Sequence, residues 1–252
     1  METSVLSRSR KPAGNTATTW LKIIALVFMF IDHAGKMCFP AVPEMRILGR
    51  IAFPIYAWCM IVGFHYTRSV PKYLLRILIT GLVSQPLYMI ALNHTWRQPN
   101  IFLTLFLGLC ALWGIREKKY LSQIWAPVAA MALAIFLGAD YGWRGVLLFI
   151  ILYAVQESRP GIAAVMVSYF LFWGSSYSIT KSLFGLPINM DALPAVLSQP
   201  LSAFLRMETY ALLALPFILI PFKKDLKLPR WIGYALYPAH LAALYALEQI
   251  MK

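Results

Sequence analysis

The chain has 252 residues, 60% of them hydrophobic and 13% charged, with a mean hydropathy of +0.66. A soluble domain of this length cannot bury so much apolar surface, which leaves an all-α, polytopic integral membrane protein. The net charge of +13 does not argue for nucleic acid, because cytoplasmic loops of membrane proteins collect Lys and Arg and no basic domain stands outside the apolar runs.

Met1 to Thr19 is polar and basic and lacks the apolar core of a signal peptide. It reads as a short, flexible cytoplasmic tail ahead of a single transmembrane domain, 20–252. Apolar runs predict spans at 20–38, 47–66, 72–92, 100–115, 122–139, 141–156, 161–176, 203–222 and 231–250, about nine transmembrane helices. Nine crossings place the termini on opposite sides. About two thirds of the 23 Lys and Arg residues then fall on the side of the N-terminus, which sets that end in the cytoplasm. The 177–202 connection has no clear assignment; Ala195 to Leu205 is apolar but too short to cross, and reads as a re-entrant or surface helix. Cys38, Cys59 and Cys110 have neither metal-ligand nor disulfide spacing, and no other metal set is visible.

The first span carries Asp32-His33. At about 1.5 Å per residue from Trp20, Asp32 lies roughly 18 Å into a hydrocarbon core about 30 Å thick. Ionisable groups at that depth mark a working site or a structural polar pair. Adjacent helical residues point about 100° apart, so Asp32 and His33 do not share a direction. This favours His33 on a cavity wall as general base and Asp32 paired with an Arg of the next span; the alternative is an ion pair that only ties two helices together. In that next span Arg46 and Arg50 lie one turn apart, and Pro54 removes the hydrogen bond owed to the Arg50 carbonyl, predicting a kink. Arg50 either holds Asp32 or stabilises an oxyanion, or is a snorkelling cation beside an ordinary kink.

Asn100 and the Asp140-Tyr141-Gly142 turn fall at the outer face; Asp140 and Arg144, one turn apart, would pair with each other. Glu208 reads as shallow, neutralised by Arg206. His240 lies about 14 Å above Trp231, and His33 about 20 Å above Trp20, so both can line one cavity. His65, Arg68, Lys72 and Arg76 form a basic cluster at the cytoplasmic ends of the second and third spans. It suits the phosphates of a nucleotide cofactor, or simply anchors the inner side. No phosphate-binding Gly-rich loop, Rossmann fingerprint, HExxH or Gly-x-Ser-x-Gly is present in the sequence.

The order of the pieces resembles the TraX family of bacterial membrane proteins. The stretches that carry it are K-x-x-ALVFMFIDHAGKM (22–37), LGRIAFPIYAW with GFHYTRS (48–69), NIFLTLFLGL (100–109), DYGWRGVLLFIILY (140–153), METYALLALPFILI (207–220) and YALYPAHLAALYAL (234–247). The resemblance implies an acetyltransferase of the bacterial inner membrane that uses acetyl-CoA to N-acetylate conjugative pilin, related to a wider class of transmembrane acyltransferases. Joined to the residue reading above, it gives the hypothesis that His33 deprotonates the pilin amine, or that His33 or His240 carries the acyl group transiently. Arg50 or Asn100 would polarise the thioester carbonyl, and Asp32 would hold Arg50 or balance His33. His65, Arg68, Lys72 and Arg76 would bind the phosphates of acetyl-CoA. Two other functions fit intramembrane Asp, His, Arg and Glu: a proton-coupled transporter, and a non-catalytic assembly partner of pilin. Within the enzyme reading, another peptide or an amino sugar is an alternative acceptor.

Overall fold

In a computed structural model, residues 11–226 and 228–251 are described and the chain is nearly all-α. Thr18–Met37 (α1), Pro43–Gly49 (α2), Ala52–Tyr66 (α3) and Val70–Leu92 (α4) form the first half with Ile101–Glu117 (α5). Ser122–Phe136 (α6), Gly142–Val155 (α7), Arg159–Gly174 (α8), Ala195–Phe204 (α9), Leu215–Leu219 (α10) and Arg230–Met251 (α11) follow.

Each predicted span contains a helical body. Among the described residues, four helices are long and apolar enough to cross a membrane by themselves: Thr18–Met37, Pro43–Tyr66, Val70–Leu92 and Lys119–Phe136. Their outward faces fit that reading. Leu75, Ile79, Leu82 and Val83 of α4 and Ile124, Val128 and Phe136 of α6 are exposed, a surface suited to lipid and not to water.

The centre of the bundle is α3. Phe53, Ile55, Trp58, Cys59, Ile61 and Phe64 are at most 1% exposed and lie on every side of the helix, as expected for a helix apolar all round. Around it stand α1, α5, α7 and the 207–219 segment. The kink falls where Pro54 places it. Without an N–H at Pro54 the Arg50 carbonyl has no helical partner, and the helix breaks into α2 and α3 at Arg50 and Ile51.

Two expectations change. The tail is not free throughout: Ala13 N–H donates to the Gln156 carbonyl (2.8 Å), and buried Asn15 accepts from Trp58 Nε1 at its carbonyl (2.7 Å). Its first ten residues lie outside the described ones. The 203–222 run is not one α-helix. Arg206 is extended (φ −91°, ψ 146°), Met207–Ala214 winds as a 3-10 helix, and only Leu215–Leu219 is α-helical. Pro216 lacks the N–H owed to the Leu212 carbonyl, and the tighter winding rises about 2.0 Å per residue, so fewer residues cover the same depth. The 177–202 connection holds a short hairpin, Ser182–Leu183 (β1) with Leu186–Pro187 (β2), and then α9. With ten residues and none buried, α9 is about 15 Å long and lies on the surface.

Candidate active site

The site is built at the C-terminal end of α1. There α2 folds back so closely that a Cβ on Gly49 would overlap the Asp32 carboxylate; only glycine permits this approach. Arg46, one turn before Arg50, ion-pairs with Asp32 Oδ2. Arg50 Nη2 donates to Asp32 Oδ1 (3.0 Å), and its Nη1 donates to Glu208 Oε1 (2.8 Å). Two guanidinium groups and two carboxylates thus alternate in one chain, Arg46–Asp32–Arg50–Glu208. Its charges balance, as a buried network requires. Side-chain exposure is 12–13% for Asp32 and Arg50 and 5% for Glu208, but 35% for Arg46.

Glu208 is therefore deep, not shallow, and its partner is Arg50. Arg206 serves the backbone, donating to the carbonyls of Ser175 (2.6 Å) and Tyr177 (3.1 Å). No ion pair joins Asp140 to Arg144 among the described residues; Arg144 Nη2 donates to the Ser176 hydroxyl (2.8 Å).

Turned about 100° from Asp32, the His33 ring meets another histidine. His33 Nδ1 lies 3.0 Å from His240 Nε2, with the rings 12° from parallel and their centroids 5.2 Å apart. One nitrogen carries the hydrogen and the other accepts it, so the pair shares a proton and the tautomers of the two rings are coupled. When His33 Nδ1 donates, its Nε2 is left as a free base. His33 lines a cavity; His240, 7% exposed, is not among the lining residues and stands behind it.

That cavity has a volume of about 330 Å³ and is walled by the C-terminal ends of α1 and α4, by α2, and by the Asp140–Arg144 turn. At Asn93 (φ 53°) the chain turns back out of α4 and brings His94 against Lys36, with Nε2 2.7 Å from Nζ. The His94 ring stacks on Tyr88 (5.0 Å, 8°). Gly142, at φ 54°, closes the turn that stacks Tyr141 on Phe53 (3.8 Å, 9°). Lys36, Tyr88, His94 and Tyr141 belong to this wall and were not selected as site residues from the sequence. The signal for them was weak: two are aromatics at span ends, and His94 sits in a polar turn like any other.

A second cavity, about 1010 Å³, lies at the N-terminal ends of α1, α4 and α11. Lys22, Arg68, Lys72 and Arg76 line it, three of the four residues of the predicted basic cluster together with a lysine from α1. His65 is not among its lining residues; its ring packs edge-on against Tyr66 (4.9 Å, 82°). Asn100 is not in either wall. Its side chain caps α5 by accepting from Phe102 N–H (3.0 Å) and donates to the Gly81 carbonyl (2.8 Å). Among the described residues no group of His, Cys, Asp and Glu is arranged to hold a metal ion.

The family model described as TraX protein matches residues 17–248. One relative is an uncharacterised protein of Rickettsia prowazekii, 29% identical over 147 residues, covering 56% of this chain and 57% of the relative. Another is a probable fimbrial assembly protein, FimC of serogroup H1, from Dichelobacter nodosus, 32% identical over 106 residues, covering 36% of this chain and 43% of the relative. The chain thus spans about half the length of the curated relatives it matches. No solved structure matches.

Proposed function

Because this chain belongs to the TraX family, we propose that it is a membrane-embedded acetyltransferase acting on the N-terminal amine of conjugative pilin, with acetyl-CoA as donor. The observation that carries the proposal is the pairing of two cavities at opposite ends of the same helices, one basic and one faced by His33. From Lys22 to Asp32 along α1 is about 15 Å, so one linear donor can engage both. The name of the Dichelobacter relative, a probable fimbrial assembly protein, fits an acceptor that belongs to a pilus.

The further details of the reading follow from charge and position. Nine crossings of the inner membrane, with the N-terminus in the cytoplasm, put the larger cavity on the cytoplasmic side and His33 on the outer side. Arg68, Lys72, Arg76 and Lys22 would hold the phosphates of the donor by charge-assisted hydrogen bonds. Bound acetyl-CoA supplies an activated acyl thioester. His33 Nε2 takes a proton from the pilin amine as its nitrogen bonds to the acyl carbon, and returns it to the sulfur as the carbon–sulfur bond breaks. His240 keeps His33 in the required tautomer. Arg46, the most exposed member of the ion network, presents positive charge to the developing oxyanion. Asp32 and Glu208 hold the two guanidinium groups in place.

A proton-coupled transporter is the second reading, favoured by the buried His–His pair and the charges around it. The test is transfer of labelled acetyl from acetyl-CoA to a pilin N-terminal peptide by the purified chain in vesicles. Transfer is expected in the parent and a fall of about 10²–10⁴-fold in His33→Ala, with unfolding temperature unchanged. Near-normal transfer in that variant removes His33 from the chemistry. No transfer by the parent, with solute-driven proton flux instead, establishes the transporter.

A further inference from the structure

The two cavities share a wall. Ile101 and Tyr237 line both of them, and we propose that Tyr237, backed by Ile101, is the partition between the two chambers and the residue that limits the length of acyl group able to pass. The proposal rests on the acetyltransferase reading only for its acyl-length part.

The partition is thin. On α1 the wall of the basic chamber ends at Leu26, and that of the His33 chamber begins at Met29. On α3 the corresponding residues are Tyr56 and Ala52. Three or four residues along a helix are about 4.5–6 Å, the thickness of one side-chain layer. Tyr237 supplies that layer from α11. It is 4% exposed, and its ring stands edge-on to both Phe102 (4.8 Å, 89°) and His240 (5.1 Å, 74°). Phe102 belongs to the basic chamber, and His240 backs His33. The ring that divides the chambers therefore also touches the histidine pair.

Two features let this ring move without unfolding the helix. Pro238, inside α11, has no N–H to donate within the helix, which loosens α11 at this level. Gly233, one turn earlier, lines the basic chamber and has nothing within 4 Å of where a Cβ would lie, so α11 faces open space there. A bulky ring across a narrow apolar passage also keeps water from bridging the chambers. A thin donor arm displaces it; a long acyl chain must fit in the space left beyond.

The experiment compares Tyr237→Ala, Tyr237→Phe and Ile101→Ala with the parent in sealed vesicles, each checked for a single elution peak and parent-like unfolding temperature. Proton leak under an imposed pH gradient is read first. Tyr237→Ala should leak measurably faster than the parent, because the ring that keeps water out of the passage is gone, with Tyr237→Phe as tight as the parent. Should Tyr237→Ala fail to fold, Ile101→Ala is read in its place. Transfer of acetyl, butyryl and hexanoyl groups from the matching CoA thioesters is read second; the parent should strongly prefer acetyl, and Tyr237→Ala should lose that preference. A folded alanine variant that is as tight as the parent overturns the partition. Leak without any change in acyl preference overturns the length limit alone. No transfer by the parent overturns the acetyltransferase reading while the leak still decides the partition.

Discussion

Asp32 and His33 are neighbours in sequence with separate partners, and the separation sets what each can do. Asp32 is consumed by Arg46 and Arg50, so it cannot orient His33; that task falls to His240 at 3.0 Å. The angle between adjacent helical residues made this division readable from the sequence. The pairing of Arg50 with Glu208, 158 positions away, was not readable. Glu208 has Arg206 two residues before it, and only the extended backbone at Arg206 followed by 3-10 turns sends the two side chains to different places. Asp32→Asn leaves two guanidinium groups facing one remaining carboxylate. Breaking a buried pair in this way costs about 3–5 kcal/mol, towards the lower end here because Arg46 is 35% exposed. Thermal unfolding in detergent should shift downward accordingly, and an unchanged midpoint would show that the network is not holding α1 to α2.

Among the elements, α5 shows how a candidate residue can have a purely local purpose. Asn100 in PNIFLTLFLG looked like a polar group offered to a substrate. Its oxygen instead caps the helix and its amide ties α5 to α4 through Gly81. An Asn before an apolar run is a helix-start signal as much as a site signal, and sequence alone does not separate the two. Asn100→Ala should lower stability by about 1 kcal/mol without changing KM for acetyl-CoA; a selective rise in KM would return Asn100 to the donor site. Helix positions were otherwise legible because apolar runs between charged turns mark helices directly, four of them long and apolar enough to cross a membrane among the described residues. The exception, 203–222, had an apolar composition that fits either winding; Arg206 and Pro216 decide it locally.

At the scale of the molecule, the helices arrange polar residues into two chambers at opposite ends. The basic chamber was partly legible: Lys72 and Arg76 lie one turn apart on α4 and share a face, and Arg68 sits in the turn just before that helix. Lys22 joined them only when α1 was seen beside α4. The reach from one chamber to the other, across a single layer of side chains, depends on tertiary packing and has no signature in spacing or composition. This arrangement suits a protein that takes a donor from one side of a membrane and an acceptor from the other.

The central claim is that the chain acetylates conjugative pilin, and the intact mass of pilin from cells with and without the gene tests it most directly. The account predicts a gain of one acetyl group, mapped to the pilin N-terminus, that disappears with the gene and with His33→Ala. Pilin of identical mass in both strains would contradict it.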